Sequence, residues 1–265
     1  MEPQTLREII EWQPPHRSAF VSDGVLYERT RLLIYGKYKS LKSIAVMNLA
    51  MCLANGADWL GLTTKPCSVL YLQIEVPHDF LRKRLLKLIS ANTNGARPKL
   101  DTIKPLWLWT EPYMKLDAGS GLAQLEEKLN RLKPDVLVVD PLYKVLSGNI
   151  LDPNSMRDFS DRMDILTDKH NLTLVVAHHS RKSAPGIVAS SSLDDTWGSD
   201  DMLGAAVLSY WADTVLKITR KGGKKENEAR VTFDVLRHAE ESLDPVEVLF
   251  DRNTLTLTKK DVLKL

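Results

Sequence analysis

The sequence predicts an α/β protein, in which helices flank a mostly parallel, twisted β-sheet and antiparallel strands extend the sheet at its C-terminal end. Two patterns lead to this fold class. Short apolar runs alternate with helical patterns from residue 31 to residue 177, as in parallel sheets whose strands are joined by crossover helices. From residue 214 onward, strand-like runs follow one another across polar turns, which indicates antiparallel pairing.

The parallel part of the sheet is predicted from five short apolar runs. The predicted strands are Arg31–Tyr35, Ser68–Glu75, Lys104–Trp109, Asp135–Asp140 and Leu172–Ala177. The helices predicted between them, with apolar residues at helical spacing, are Ile44–Ala54, Asp79–Ser90, Gly121–Leu132 and a helix that begins at Asn154 or Ser155 and includes Leu166. Val136 to Val139 are all apolar, which is typical of a strand buried on both faces of a sheet.

The remaining elements lie in the C-terminal third. Ser180–Trp197 is rich in Ser, Gly, Ala and Asp, which predicts a long loop, and loops of that length are usually functional or disordered. We expect residues 1–25 to form a short lead-in and residues 26–265 to form a single domain. The predicted antiparallel strands are Thr214–Thr219, Arg230–Leu236, Val246–Phe250 and Leu255–Thr258.

Composition limits the class of protein and its compartment. The 265 residues, 43% of them hydrophobic and 26% charged, are typical of a globular chain that buries a full core. No apolar run approaches membrane-spanning length, and the N-terminus lacks a signal-peptide core, so we expect no membrane contact. Cys52 and Cys67 lie in apolar segments as expected of reduced core thiols, which indicates the cytoplasm of a cell or of a phage-infected host. The net charge of +2 does not by itself indicate nucleic acid.

Residues 36 to 43 read GKYKSLKS, which matches the Walker A pattern G-x-x-x-x-G-K-[ST] except at its second glycine. A strand, a tight turn and a helix start form an anion site, because free backbone N–H groups and the positive end of the helix dipole point at one spot. A basic turn alone is often only solvated; the flanking strand and helix favour the functional interpretation. The loop is therefore predicted to bind nucleotide phosphates through Gly36, Lys37, Tyr38, Lys39, Ser40, Leu41, Lys42 and Ser43.

Individual loop residues have distinct predicted roles. Lys42 is placed to reach the β- and γ-phosphates, and the Ser43 hydroxyl to hold Mg²⁺. Leu41 stands where the pattern has glycine, so a positive φ at this position would strain the backbone. Lys39 would then add a second cation beside the phosphates.

Two carboxylates follow predicted buried strands. Asp140 ends an apolar strand downstream of the phosphate loop, where a Walker B aspartate holds Mg²⁺; a turn aspartate before Pro141 is the alternative. Glu75 closes the second strand, and an edge glutamate in solvent is the alternative to a catalytic one. If its strand lies beside the phosphate loop, Glu75 is placed to polarise the water that attacks the γ-phosphate, a general-base effect of about 10²–10⁴-fold.

His178 and His179 end the strand after Asp140. Adjacent residues of a strand point to opposite faces, so the two imidazoles are poorly placed to chelate one metal ion, and no Cys/His/carboxylate spacing indicates zinc. A polar side chain at this strand end is instead a candidate sensor of the γ-phosphate. A core histidine with satisfied hydrogen bonds is the alternative.

Together these residues resemble the RecA-like P-loop ATPases, and most closely the RepA-type hexameric replicative helicases of plasmids and phages and their AAA-family relatives. The resemblance extends from Trp12 to about Leu257. Besides the phosphate loop it rests on the runs Ala54–Gly56, Trp59–Gly61, Tyr71–Glu75, Leu137–Asp140, Val175–His179, Gly198–Ser199 and Leu236–His238. Leu41 departs from the family pattern.

The resemblance implies a RecA-like P-loop NTPase core that binds ATP and Mg²⁺ between identical subunits. In that family Glu75 would be the catalytic glutamate, with Arg84 nine positions later, and Asp140 the Walker B aspartate. His179 would couple the state of the nucleotide to a DNA-binding loop. Arg237 would be the arginine finger that reaches the γ-phosphate bound to the neighbouring subunit.

The leading hypothesis is an ATP-hydrolysing, single-stranded-DNA-dependent motor of the RepA/DnaB helicase type that acts in DNA replication. Its expected partners are single-stranded DNA, further copies of itself in a hexameric ring or filament, and other replication proteins. Lys144, Arg181 and Lys182 are candidate contacts to DNA phosphates. Such channels hold the nucleic-acid backbone electrostatically, so binding is expected to weaken with salt.

Three alternatives remain open from the sequence. A RecA- or RadA-like recombinase would form open filaments on DNA instead of closed rings. A weakly hydrolysing, nucleotide-gated loader is favoured by Leu41, whereas the intact set of phosphate-loop and carboxylate residues argues against it. A small-molecule kinase also fits a phosphate-loop fold, but the long Ser-rich loop and Arg237 fit a ring motor better.

Overall fold

The computed structural model describes residues 2–14, 16–90, 101–179, 205–221 and 227–260. The predicted loop Ser180–Trp197, with Arg181 and Lys182, lies outside these residues. In chain order the elements are α1 (Leu6–Glu11), β1 (Ala19–Val21), β2 (Leu26–Tyr27), β3 (Arg31–Gly36), α2 (Lys42–Asn55), β4 (Val69–Gln73), α3 (His78–Ser90), β5 (Leu106–Thr110), α4 (Gly119–Leu132), β6 (Val136–Asp140), α5 (Pro153–His170), β7 (Thr173–His179), α6 (Ala205–Trp211), β8 (Thr214–Arg220), β9 (Glu228–Leu236), β10 (Val246–Phe250) and β11 (Leu257–Lys259).

Nine of the strands form one sheet in the order β11-β10-β9-β8-β3-β7-β6-β4-β5. The neighbouring strands β8, β3, β7, β6, β4 and β5 pair in parallel. The pairs β8–β9, β9–β10 and β10–β11 are antiparallel. The predicted fold class, a mostly parallel sheet with an antiparallel C-terminal extension, is therefore confirmed.

The sheet separates two hydrophobic cores. Helices α2 and α3 pack on one face, and α4, α5 and α6 pack on the other. Alternate residues of β6 enter the two cores, with Val136 and Val138 in the first and Leu137 and Val139 in the second. The apolar run of this strand thus reflects burial on both faces, as predicted. None of the helices in the described ranges has the length and hydropathy needed to span a membrane.

A small hairpin lies across the predicted start of the domain. Strands β1 and β2 pair antiparallel, and Phe20, Val21 and Val25 belong to the core on the α2 face. The helix α1 before it has no buried residue. The division into a lead-in of residues 1–25 and a single domain of residues 26–265 stays a prediction, and part of the lead-in contributes to the core.

The structure moves several predicted boundaries. β7 extends to His179, two residues beyond the apolar run Leu172–Ala177, because it stays paired with β3 up to Gly36. The last strand begins at Leu257 because Leu255 has a positive φ of 57°, which interrupts an extended conformation. The helix α6 was not predicted at all.

Both cysteines are free thiols. Burial raises the pKa of Cys52 and of Cys67 to about 12 in each case. Such thiols carry almost no thiolate at neutral pH and are chemically inert. The two residues therefore serve packing, while the compartment stays a prediction.

Candidate nucleotide-binding site

An open cleft of about 540 Å³ lies at the carboxyl ends of the parallel strands. This edge of an open α/β sheet is where ligands bind, because the loops that leave the strands diverge there. The cleft brings together most of the predicted site residues. It is lined by Tyr38, Lys39, Ser40, Leu41, Lys42, Ser43, Ile44, Glu75, Val76, Pro77, Phe80, Arg84, His179 and Arg220.

The phosphate loop connects β3 to α2 and folds around the ammonium group of Lys42. This group donates hydrogen bonds to the carbonyl oxygens of Gly36, at 2.8 Å, and of Lys37, at 2.7 Å. Only glycine fits at position 36, because the backbone of β8 lies so close that a Cβ there would be 2.4 Å from the carbonyl oxygen of Ile218. The first glycine of the motif therefore allows β8 to pack directly against the loop.

The N-terminus of α2 suits an anion. Its cap residue, Leu41, makes no side-chain capping hydrogen bond, and the first turn contains no acidic residue. The first N–H groups of a helix have no partner within the helix, and the helix dipole places partial positive charge there. The start of this 14-residue helix therefore presents free donors to the cleft, as phosphate binding requires.

Leu41 adopts the left-handed conformation that the missing glycine of the motif suggested. Its φ is 73° and its ψ is 11°, and Lys39 also has a positive φ, of 64°. A non-glycine residue in this region costs about 1–2 kcal/mol. The Leu41 side chain is half-buried and packs against the core on the α2 face, which offsets part of that cost. The loop thus keeps the shape of the motif without its second glycine.

Burial controls the charge of Lys42. The side chain is nearly inaccessible, and desolvation lowers its pKa to about 8, although the nearby Asp140 and Glu75 oppose the shift. Once the pH exceeds about 8, the neutral form of Lys42 therefore predominates in chains without nucleotide. Bound phosphate would favour the charged form.

ATP affinity is expected to fall above pH 8, because nucleotide binding must then return a proton to Lys42. The affinity should fall by up to about tenfold per pH unit above that value and change little below it. Titration with a fluorescent ATP analogue between about pH 7 and pH 9.5 measures this dependence. The Lys42→Met variant is the control, and a pH step of the same size in that variant would contradict the assignment.

Ser43 and Asp140 form a pair suited to Mg²⁺. The Ser43 hydroxyl donates a hydrogen bond of 2.9 Å to Oδ1 of Asp140. Hydroxyl and carboxylate oxygens are ligands that Mg²⁺ accepts beside nucleotide phosphates, so the two residues fit the predicted metal role. Bound there, Mg²⁺ would neutralise charge on the phosphates.

Asp140 is fully buried, and its second oxygen is held by neighbours that the sequence reasoning missed. Oδ2 accepts hydrogen bonds from the Tyr71 hydroxyl, at 2.6 Å, and from Nε2 of Gln73, at 3.3 Å. Burial raises the pKa of Asp140, while the hydrogen bonds from Tyr71 and Ser43 oppose the rise. The sequence offered one sign of these contacts: Tyr71 and Gln73 are polar residues within an otherwise apolar strand, and a buried polar group needs a hydrogen-bond partner.

Glu75 reaches the cleft from a strand that is not adjacent to the phosphate loop. Its catalytic role was predicted on the condition that its strand lies beside the phosphate loop, but β7 and β6 lie between β3 and β4. Glu75 follows the end of β4, where Oε1 of Gln73 accepts hydrogen bonds from the backbone N–H groups of Glu75, at 2.7 Å, and Val76, at 3.2 Å. This turn directs Glu75 into the cleft lining.

His179 lies at the end of β7 opposite Gly36 and lines the same cleft. Its ring lies 5.2 Å from that of Tyr143 and 6.3 Å from that of Tyr38, measured between centroids. Burial, assisted by the charge of Lys42, lowers the pKa of His179 to about 4. The imidazole is therefore neutral at physiological pH, and its role as a sensor stays a prediction.

Two arginines line the cleft beside the phosphate loop. Arg84, on α3, is one that the family resemblance implied. Arg220, at the end of β8, was not predicted as a site residue, because only the pairing of β8 with β3 brings it to this edge. Both supply positive charge where nucleotide phosphates would bind.

Arg237 lies at the opposite edge of the sheet. It directly follows β9, whose last residue pairs with Thr214 at the start of β8, whereas the cleft lies at the end of β8. Along β8, the end of the strand near Arg237 and the end at the cleft lie roughly 20 Å apart. The guanidinium donates hydrogen bonds to the carbonyl oxygens of Tyr210, at 2.6 Å, and Ser209, at 3.4 Å. Within one chain, Arg237 is thus not assembled with the other predicted site residues.

Comparison with known families decides the classification. The sequence matches the AAA domain family over residues 2–185, which is more than half of the chain. The chain belongs to this family. The matched range contains the phosphate loop, Glu75, Asp140 and His179, while Arg220 and Arg237 lie beyond it. A search of curated proteins returns no match.

Solved structures similar to this AAA-family chain share its fold. One is described as an ATPase domain, with a TM-score of 0.64, 12% identity, and coverage of 88% of this chain and 86% of that one. A DnaB-like replicative helicase, described with its interactions with primase, has a TM-score of 0.64 and 13% identity, over 87% of this chain and 57% of the helicase chain. A KaiC-like protein from Pyrococcus horikoshii OT3 has a TM-score of 0.59 and 13% identity, over 94% of this chain and 100% of that one.

These matches confirm the predicted resemblance at the level of the fold. The family and the ATPase domains together identify a RecA-like P-loop fold of the helicase type. This chain spans just over half of the length of the DnaB-like helicase.

Proposed function

We propose that this chain is an ATP-hydrolysing motor that acts on single-stranded DNA in DNA replication, as a ring of identical subunits. One observation carries the proposal. A single cleft combines a phosphate loop and its buried lysine with a glutamate, and the Ser43 hydroxyl that lines it is hydrogen-bonded to the fully buried Asp140 behind it. These are the parts that nucleotide hydrolysis needs in a phosphate-loop fold.

Four side chains and the start of α2 have chemical roles in the proposed reaction. Lys42 neutralises charge that develops on the β- and γ-phosphates, and the N–H groups at the start of α2 hold the phosphate oxygens. Glu75 accepts a proton from the attacking water, which contributes about 10²–10⁴-fold to the rate. Ser43 and Asp140 would hold Mg²⁺ at the phosphates.

The position of Arg237 supports the sharing of sites between subunits. Its guanidinium is roughly 20 Å from the cleft of its own chain, as judged from the length of β8, but it lies at the surface and is exposed. A neighbouring subunit could place its cleft against this edge. Arginine fingers supplied in this way accelerate phosphoryl transfer by about 10³–10⁵-fold.

DNA as the partner is supported by the fold and by the placement of candidate contacts. The chain shares the fold of a DnaB-like replicative helicase. Its strands β6 and β7 end at the edge of the sheet that carries the cleft. Lys144 lies at this edge, where its ammonium group is 5.4 Å from the ring centre of Tyr143. In the proposed motor these residues hold the DNA backbone electrostatically.

A nucleotide-gated loader with slow hydrolysis is the second candidate. The strained Leu41 favours it, because a φ of 73° at a leucine makes the loop harder to rearrange during turnover than a glycine would. A loader would bind ATP through the same cleft. It would differ in showing little turnover with any DNA.

Phosphate release at saturating MgATP, with and without single-stranded DNA, tests the proposed motor. DNA is expected to stimulate wild-type turnover, and both Lys42→Ala and Arg237→Ala are expected to abolish it. An equal mixture of the two variants should recover about a quarter of the wild-type rate, since one interface in four combines an intact cleft with an intact finger.

The outcomes separate the candidates. Arg131→Ala, which removes an exposed arginine of α4, is the control for a lost surface charge. Tight ATP binding without turnover in any condition would leave the loader. Turnover in the mixture that is no higher than in either variant alone would contradict the sharing of sites between subunits.

A further inference from the structure

Tyr143 lies between two predicted site residues and contacts both. Its hydroxyl donates a hydrogen bond of 3.0 Å to Oε1 of Glu75. Its ring packs edge-on against the ring of His179, with centroids 5.2 Å apart and planes at 64°. No motif of the phosphate loop or of the carboxylates includes this tyrosine, which was not among the predicted site residues.

The backbone that carries Tyr143 is firmly anchored. Leu142–Lys144 form a short 3₁₀ helix directly after Asp140 and Pro141. Leu142 and Val145, on either side, are completely buried in the core on the α5 face. The N–H of Val145 closes the turn on the carbonyl of Leu142 at 3.0 Å. Tyr143 is therefore a fixed support beside the more exposed Glu75.

The Tyr143 hydroxyl is a lasting hydrogen-bond donor. Burial, followed by the negative charge of Glu75, raises the pKa of Tyr143 to about 12. The phenol therefore keeps its proton throughout the physiological range. A neutral phenol beside a carboxylate donates a charge-assisted hydrogen bond, which is stronger than one between neutral groups.

The bond engages only one oxygen of the Glu75 carboxylate. Gln73 holds the backbone of Glu75, and Tyr143 holds Oε1. Among the residues that the structure describes, Oε2 has no hydrogen-bond partner. One oxygen is thus anchored while the other remains available to accept a proton.

We propose that Tyr143 is a positioning residue for ATP hydrolysis, which orients the Glu75 carboxylate and links it to His179. The inference rests on the proposed function. In the reaction, Oε2 of Glu75 takes a proton from water as the water oxygen bonds to the γ-phosphorus and the bond to the β-phosphate oxygen breaks. Tyr143 keeps its proton and restricts rotation of the carboxylate. Misplacing a catalytic group by about 1 Å can cost 10²-fold in rate.

The Tyr143→Phe variant tests this role, because it removes the hydroxyl and keeps the ring against His179. The turnover number is expected to fall by about 10- to 100-fold. The affinity for an ATP analogue, measured by fluorescence titration, is expected to stay within about twofold, because Tyr143 contacts no residue of the phosphate loop by hydrogen bond. Tyr113→Phe, at an 89% exposed tyrosine, is the control for loss of a phenol.

A double-mutant cycle shows whether Tyr143 acts through Glu75. Glu75→Asp keeps a carboxylate but is one methylene shorter, so it is expected to lose the contact with the phenol. In that background Tyr143→Phe should lower the turnover number by less than about twofold. Equal losses in both backgrounds, or no loss in the wild-type background, would overturn the positioning role. A wild-type chain without turnover would overturn the proposed function itself, and this inference with it.

Discussion

Replacing Lys42 with alanine is expected to abolish ATP turnover and to weaken ATP binding by at least about 10- to 100-fold. Hydrogen bonds to charged groups contribute about 1.5–3 kcal/mol each, and a missing electrostatic donor costs about 10²–10³-fold in the chemical step. The ammonium group lies within the loop, bonded to the carbonyl oxygens of Gly36 and Lys37. Calorimetric titration with a non-hydrolysable ATP analogue and phosphate release under saturating MgATP measure the two effects.

The fold of the Lys42→Ala chain is expected to survive. Desolvation lowers the pKa of Lys42 to about 8, so burial of the charged form is unfavourable, and alanine avoids this cost. Thermal unfolding without nucleotide should therefore give a melting temperature no lower than that of the wild-type chain by more than a few degrees. If the variant is unfolded, its loss of activity says nothing about the role of Lys42 in the site.

Lys39 provides the matched comparison for Lys42. It belongs to the same loop and carries the same charge, but it is exposed and lies 5.3 Å from the ring centre of Tyr38. Because exposed charges are screened by water and salt, Lys39→Ala is expected to reduce ATP affinity by less than about fivefold. Equal losses for Lys39→Ala and Lys42→Ala would contradict the special role of the buried lysine.

The sequence was informative wherever a local pattern determines structure. The strand, turn and helix around the phosphate loop follow from an apolar run, a glycine and a lysine–serine pair within a few residues. The departure at Leu41 was visible in the same way, since a left-handed position in this motif favours glycine. The two-sided burial of β6 follows from its unbroken apolar run.

Long-range order was not accessible from these patterns. Periodicity assigns residues to the faces of a strand, but it does not determine which strands are neighbours. The condition set for Glu75, a strand beside the phosphate loop, is therefore not met, although its side chain lines the cleft. The partners of Asp140 on β4 and the approach of Arg220 depend on the same strand order.

The contact between Tyr143 and Glu75 shows most clearly what sequence patterns cannot predict. The two residues are 68 positions apart, and one belongs to a short 3₁₀ helix that no periodicity predicts. Their meeting depends on the pairing of β4 with β6, which places the loops after both strands side by side. Such pairs are found only when the sheet order is known.

Replacing Glu75 with glutamine is expected to separate ATP binding from hydrolysis. Glutamine has the same shape, and its carbonyl oxygen can still accept the hydrogen bond from Tyr143 that Oε1 accepts at 3.0 Å. It cannot accept a proton from water, so the turnover number should fall by about 10²–10⁴-fold while ATP affinity stays within about threefold. Rapid-quench assays of single turnovers, alongside equilibrium titration, measure both quantities.

The comparison of Glu75→Gln with Lys42→Ala identifies which part of the cleft performs the chemistry. Glu127→Gln, at an exposed position on α4, controls for the loss of one surface charge. If Glu75→Gln keeps the wild-type turnover number, Glu75 is an edge glutamate and the base is another group. If it loses ATP binding as severely as Lys42→Ala, Glu75 supports the loop structurally. Retained binding with lost turnover is the pattern expected of a group that acts on the attacking water, because such a group contributes to the transition state and not to the bound ground state.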